Sequence, residues 1–254
     1  MKEKIDIIIF SGQSNMQGAS GEISTAIAPT CFEYRYLTDE LVVLKDPVGE
    51  EIGDSYLLPN GSGTLVPAFC DAYAKRKNKV VALHCARGST NISEWAVGTN
   101  RYNALIEKSR KGIAKAKEKF CVGKIYFVWL QGESDALLKK SEEYYLSALI
   151  ALKNGLKKDL GIDKFGIIKV GYFAEYADWA PNANRYDDEV IMRAQDKAPK
   201  VDNDFIMLTD ICTMLSEKSE YLNPNEFGPH YNNRALNLIG EDAAKTLAEY
   251  KVVK

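Results

Sequence analysis

The stretch that decides the reading is Ile5 to Ser20, "IDIIIFSGQSNMQGAS". Ile7-Ile8-Ile9-Phe10 is a continuous apolar run, as expected of a strand buried on both faces of a parallel sheet. It runs directly into Gly, Ser, Gln and Asn, with nothing bulky until Met16. In open α/β sheets the carboxyl ends of the strands are where ligands bind, so a small polar cluster at that edge marks a candidate site.

Working outward, the chain of 254 residues is 46% hydrophobic and 27% charged, which suits a globular protein with one large core. We read it as a single domain over 1–254. A formal net charge of -2 leaves no excess of positive charge for phosphate backbones, so nucleic-acid binding is not expected. No apolar run approaches the roughly 18 residues of a membrane span, and the N-terminus lacks the pattern of a signal peptide. A cytoplasmic location without membrane attachment is the expectation. The five cysteines are odd in number, widely spaced and without a C-x-x-C pair, which argues against a disulfide framework or a structural zinc site.

Further apolar runs at 79–86, 124–130, 165–173 and 204–210 read as strands, with amphipathic helical patterns between them at 102–120 and 141–161. Gly161 is placed to cap the second helix, and a last helix is expected from about Asn233 to Tyr250. Alternation of strand and helix implies a mostly parallel sheet with helices on both faces. Residues 19–65, rich in Gly, Pro and Tyr and without a clear period, read as a long irregular insertion.

Polar clusters follow the strand ends: "SGQSNMQG" (11–18), "RGSTNISEW" (87–95), "QGESD" (131–135) and, before the last helix, "GPHYNN" (228–233). The first loop has neither the G-x-G-x-x-G nor the GK[ST] pattern of a phosphate cradle. A serine on a sharp strand-to-helix turn explains its composition better, because such a turn exposes the hydroxyl beside free backbone N–H groups. Ser14 or Ser11 can fill that place. A nucleophilic serine needs a base, and the chain has only two histidines. His84 lies within a strand pattern, where a buried structural role is expected; His230 lies in a loop and is the leading candidate.

Together, "GQSNMQG", "ARGSTNISEW", "WLQGESD" and the histidine before the last helix resemble the SGNH-hydrolase superfamily. Within it they are similar to the carbohydrate-esterase branch of sialate O-acetylesterases and family 6 acetylxylan esterases. The resemblance implies a three-layer α/β/α fold with a flavodoxin-like, mostly parallel five-stranded sheet. It implies Ser14 as nucleophile, His230 as general base, and an oxyanion hole drawing on the N–H groups of Ser14 and Gly88 and the side chain of Gln131. It implies no metal or other cofactor. Many relatives carry an Asp three residues before the histidine, where this chain has Phe227. Glu226 is the favoured acid, with Glu133, Asp135 or a main-chain carbonyl as alternatives.

The expected substrate is an acetylated carbohydrate. Trp95 and Trp179 are the aromatic residues that offer a sugar a flat face, while Arg87 or Arg35 is a candidate for meeting a carboxylate such as that of sialic acid. A sugar-binding module without turnover, or an esterase for short acyl chains, are the alternative readings. Oligomeric state is not legible.

Overall fold

A computed structural model describes residues 2–224 and 230–250. Its first strand, β1 (Lys4–Gly12), is buried from Ile5 onward, as the unbroken apolar run requires. The short helix α1 (Ser14–Gln17) follows. Then come β2 (Ile27–Arg35), β3 (Glu40–Lys45), α2 (Val66–Ala74), β4 (Lys79–Ala86), α3 (Asn100–Lys119), β5 (Cys121–Leu130), α4 (Glu133–Leu137) and α5 (Glu142–Leu160). The chain continues through β6 (Lys164–Ile168), α6 (Arg185–Val201), β7 (Phe205–Thr209), α7 (Cys212–Leu215) and α8 (Asn233–Glu249).

The sheet order is β3-β2-β4-β1-β5-β6-β7, and every neighbouring pair is parallel except β2 with β3. Helices α2 and α8 pack together on one face, and α3, α5 and α6 cover the other. This is the expected three-layer α/β/α architecture, with seven strands rather than five. Central β1 lies between β4 and β5, so its end opens beside theirs. Ile5, Ile7, Ile8, Ile9 and Phe10 are fully buried, each contributing about 1.5–3 kcal/mol of burial. Asp6, the polar residue in that run, accepts hydrogen bonds from the Tyr73 hydroxyl (2.9 Å), Asn78 Nδ2 (3.0 Å) and the Lys124 N–H (2.7 Å). Its lone pairs are therefore satisfied at the strand's start, at the opposite end from the polar turn.

The extra strands come from 19–65. The alternation that would have shown β2 is broken by a register shift between Ala28 and Phe32 against β3, within which Pro29 and Thr30 lie. Glu33 in β2 is buried and bonded to the Gly49 N–H and to Arg35. The strand expected over 165–173 stops at Ile168, and the chain then leaves the sheet as a loop. Helix α5 ends as expected on Gly161 at φ +68°. Helices α2 and α6 were not expected; both contain a proline, tolerated in the first turn of α2 and near the last turn of α6. Among the described residues, no helix is long and apolar enough to cross a membrane.

Candidate active site

At the end of β1 the backbone turns at Gly12, with φ +148°. A Cβ there would stand 1.9 Å from the Leu130 carbonyl oxygen, so only glycine lets β1 and β5 approach this closely before the turn. The next two residues are then carried above the sheet edge. Ser14 is the first residue of α1, and its N–H has no partner in a preceding helical turn. Ser11, by contrast, is fully buried within β1.

Ser14 Oγ lies 2.8 Å from His230 Nε2, the distance of a hydrogen bond between nucleophile and base. Contacts with three described residues help to hold His230. Its carbonyl accepts from the Asn223 N–H at 2.7 Å, the N–H of the following Tyr231 donates to Asn15 Oδ1 at 3.2 Å, and Phe173 packs edge-on to the imidazole at 5.3 Å between ring centres. Asn15 in turn donates through Nδ2 to Glu133 Oε1 at 2.8 Å. A chain of hydrogen bonds thus runs from the turn after β5, through the residue beside the nucleophile, to the loop carrying the base.

Both histidines touch α1. The Nε2 of His84 lies 3.0 Å from the carbonyl oxygen of Met16, an acceptor, so this nitrogen carries the hydrogen. Burial holds the His84 imidazole down to about pKa 4, which keeps it neutral. It braces the helix and stands outside the cavity lining, in keeping with the structural role expected of it.

The cavity over Ser14 has a volume of about 330 Å3 and is lined by Gln13, Ser14, Ser89, Ser134, Leu137, Phe173, Trp179 and His230. Gly88 stands beside it. A Cβ on Gly88 would be 3.6 Å from Ser14 Cβ and 2.5 Å from Gln17 Oε1, so the absence of a side chain lets this backbone lie against α1. Trp179 is 49% exposed at the rim, edge-on to Phe173 at 6.1 Å.

Gln131 departs from expectation. Its side chain is fully buried, with Nε2 donating to the Thr90 carbonyl (2.9 Å) and to Asp135 Oδ2 (2.6 Å), and it does not line the cavity. Both partners can only accept, so the nitrogen is engaged in holding the 87–95 loop to the turn after β5. Trp95 also departs. It is fully buried, edge-on to Trp129 and donating to Thr90 Oγ1 at 3.0 Å, because its indole is the apolar base of that same loop. Arg87 does not line the cavity, and the Arg35 guanidinium is bound to Glu33 and to the Gly49 and Pro47 carbonyls. Glu226 lies outside the described residues.

Three buried carboxylates support the floor and walls. Asp135 accepts from the Ile92 N–H (2.9 Å) as well as Gln131, and Asp188 accepts from the N–H groups of Phe173 and Ala174 at 2.9 Å each. Burial pushes Glu133 up to about 7 and both Asp135 and Asp188 up to about 6. The hydrogen bonds of Glu133 and Asp135 go to Asn15, Ile92 and Gln131, so these two alternatives for the acid serve loop anchoring here. The reading of the sequence overlooked Gln13, Asn15, Leu137 and Phe173. The signal for the first two was present: polar side chains flanking a serine in a turn too tight to expose all of them.

Chemically, the arrangement can deprotonate a serine and deliver it to a carbonyl carbon. Among the described residues, no group of His, Cys, Asp and Glu is arranged to hold a metal ion. A probable carbohydrate esterase of Arabidopsis thaliana is 30% identical over 187 residues, 65% of this chain and 67% of that protein. The solved structure of an Arabidopsis thaliana protein has TM-score 0.71 at 19% identity, covering 97% of this chain and 99% of its own. NanS superposes with TM-score 0.59 at 12% identity, covering 97% of each chain. Residues 4–248 match the family described as "Carbohydrate esterase, sialic acid-specific acetylesterase". Nearly the whole chain, from β1 through the helix that follows His230, is therefore that of a member of this carbohydrate esterase family.

Proposed function

We propose that this protein is a serine esterase that removes O-acetyl groups from carbohydrates through an acyl-enzyme intermediate. The observation that carries the reading is the 2.8 Å contact of Ser14 Oγ with His230 Nε2 at the base of a cavity rimmed by Trp179. Ser14 Oγ attacks the acetyl carbonyl carbon as His230 Nε2 takes its proton, and the carbonyl electron pair moves onto oxygen. The tetrahedral species collapses with cleavage of the bond to the sugar oxygen, which receives the proton from His230. Water then attacks acetyl-Ser14, again with His230 as base, and acetate leaves. The backbone N–H groups of Ser14 and Gly88 are the donors for the oxyanion. Glu226 remains the sequence's candidate for orienting the imidazole.

Within carbohydrates, the lining favours a neutral acetylated sugar, such as a xylo-oligosaccharide, over an acetylated sialic acid. Among the described lining residues none is Lys or Arg. Three of the groups that anchor the surrounding segments, Glu133, Asp135 and Asp188, are buried carboxyl groups. A sugar carboxylate meeting these described lining residues would gain no cationic partner from them while losing water. The five free cysteines suit a reducing compartment such as the cytoplasm.

Acetate release from acetylated xylo-oligosaccharides, O-acetylated sialic acid and short aryl acyl esters tests the reading. Acetyl esters should turn over, with kcat/KM for the neutral sugars above that for the sialate. Release of acetate from none of them would leave a binding module and overturn the proposal.

A further inference from the structure

The base comes to Ser14 from 216 positions further along the chain, so the separation of the two groups has to be set by contacts between their segments. The Asn223 N–H donates to the His230 carbonyl at 2.7 Å, and the Tyr231 hydroxyl donates to the Cys212 carbonyl at 3.0 Å. Both fix the base segment against residues 212–223. The Tyr231 N–H does something else: it donates to Asn15 Oδ1 at 3.2 Å and so ties the segment directly to α1, one residue from Ser14.

Asn15 is 2% exposed, and its partners orient its carboxamide. A main-chain N–H can only donate, so the atom that Tyr231 meets is the oxygen, and Nδ2 is the atom that donates to Glu133 Oε1 at 2.8 Å. Joining an N–H to a carboxyl takes an acceptor and a donor on one short planar group. Leucine, of similar shape, has neither, and an aspartate carboxylate has no donor. Resting on the esterase reading above, we infer that Asn15 is a positioning residue that sets the distance from His230 Nε2 to Ser14 Oγ through the Tyr231 N–H. Glu133 keeps the amide pointed, because a carboxyl oxygen accepts from Nδ2 whether or not the other oxygen carries a proton. Nucleophile and brace sit side by side on one short helix, so a shift of α1 carries the base with it.

Asn15→Leu removes both bonds. The expected result is a fall in kcat of about 10- to 100-fold on an aryl acetate with KM within a few-fold, the cost of a base about 1 Å out of place. A folded Asn15→Leu enzyme with kcat within a few-fold of the unsubstituted one would overturn the inference. Asn15→Asp puts a second carboxyl within hydrogen-bond distance of Glu133 Oε1, where the two must share one proton. The other titratable groups facing this pair are Asp135, Asp188, Tyr231 and Cys212. While the shared proton is held, the new carboxyl still accepts from Tyr231; once it is lost, the two charges repel and the bridge opens. The kcat profile of Asn15→Asp should therefore fall again at alkaline pH, where that of the unsubstituted enzyme stays level, and a profile that parallels the unsubstituted one at full turnover would refute the assignment. Hydrogen exchange on the unsubstituted protein needs no variant to fold. The Tyr231 amide should exchange at least about 100-fold more slowly than in an unfolded chain, and exchange at the unfolded rate would also overturn the inference. Failure of the unsubstituted protein to release acetate would instead remove the esterase reading, since amide protection does not depend on turnover.

Discussion

The turn after β1 and the turn after β5 are built alike and used differently. Each passes from strand to short helix through a glycine with a large positive φ, +148° at Gly12 and +150° at Gly132, and each has a glutamine beside it. In the first turn Gln13 follows the glycine, and with Ser14 it reaches the cavity. In the second, Gln131 precedes the glycine and is buried at the end of the sheet, where it ties Thr90 to Asp135. The reversed order of Gly and Gln separates a side chain that lines the cavity from one that holds a loop. A polar motif at a strand end thus contains both reagents and scaffold, and position relative to the chain reversal sorts them.

The largest effect is expected at the first turn. Ser14→Ala should lower turnover by about 10^4-fold or more with little change in melting temperature. Ser11→Ala, three residues earlier, removes a buried hydroxyl that makes no hydrogen bond, so activity and stability should be kept. The reverse pattern in acetate release would show that the nucleophile has been misplaced.

At the second turn the effect should appear mainly in stability. Glu133 has a carboxyl that burial raises to about 7 from an ordinary 4.5, so the folded state binds its proton more tightly than the unfolded state does. Its contribution to stability is therefore fully present below about pH 4.5, declines as pH rises through about 7, and stays lost above. Glu133→Gln keeps an oxygen for Asn15 and removes the buried charge. Thermal melting should show it more stable than the parent at pH 8, by at most about 3 kcal/mol, with the difference vanishing near pH 4. Turnover should stay within tenfold. A variant that is no more stable at pH 8 and has lost its turnover would mean that the Glu133 charge acts in the reaction.

The smallest effect should come from outside both turns. Trp179→Ala should raise KM for acetylated oligosaccharides roughly five-fold, about 1 kcal/mol of ring contact, and leave kcat and the hydrolysis of small aryl acetates unchanged. Equal loss on both substrates in steady-state assays would place Trp179 in the support of His230 through Phe173 instead.

Much of this molecule follows from the sequence by local physics. Ile7 to Phe10, with the runs at 79–86, 124–130 and 204–210, are apolar on both faces and can be satisfied only inside a parallel sheet, so the central strands and the edge where the polar clusters gather could be read directly. Two histidines in the whole chain, one in a strand and one in a loop, narrowed the base to His230. Strand β2 was not legible, because the register shift between Ala28 and Phe32 erases the alternation on which strand recognition depends. Nor could sequence sort the polar residues of the motifs. Trp95 and Trp179 are the same residue type, and only packing puts one beneath the 87–95 loop and the other at the rim. Gln13 and Gln131 are likewise the same residue type, and the N–H and carbonyl groups that converge on each come from distant parts of the chain. Hydrogen-bond partners from residues about 120 positions apart exist only once β1 and β5 lie side by side, so the division between reagent and scaffold belongs to the tertiary structure.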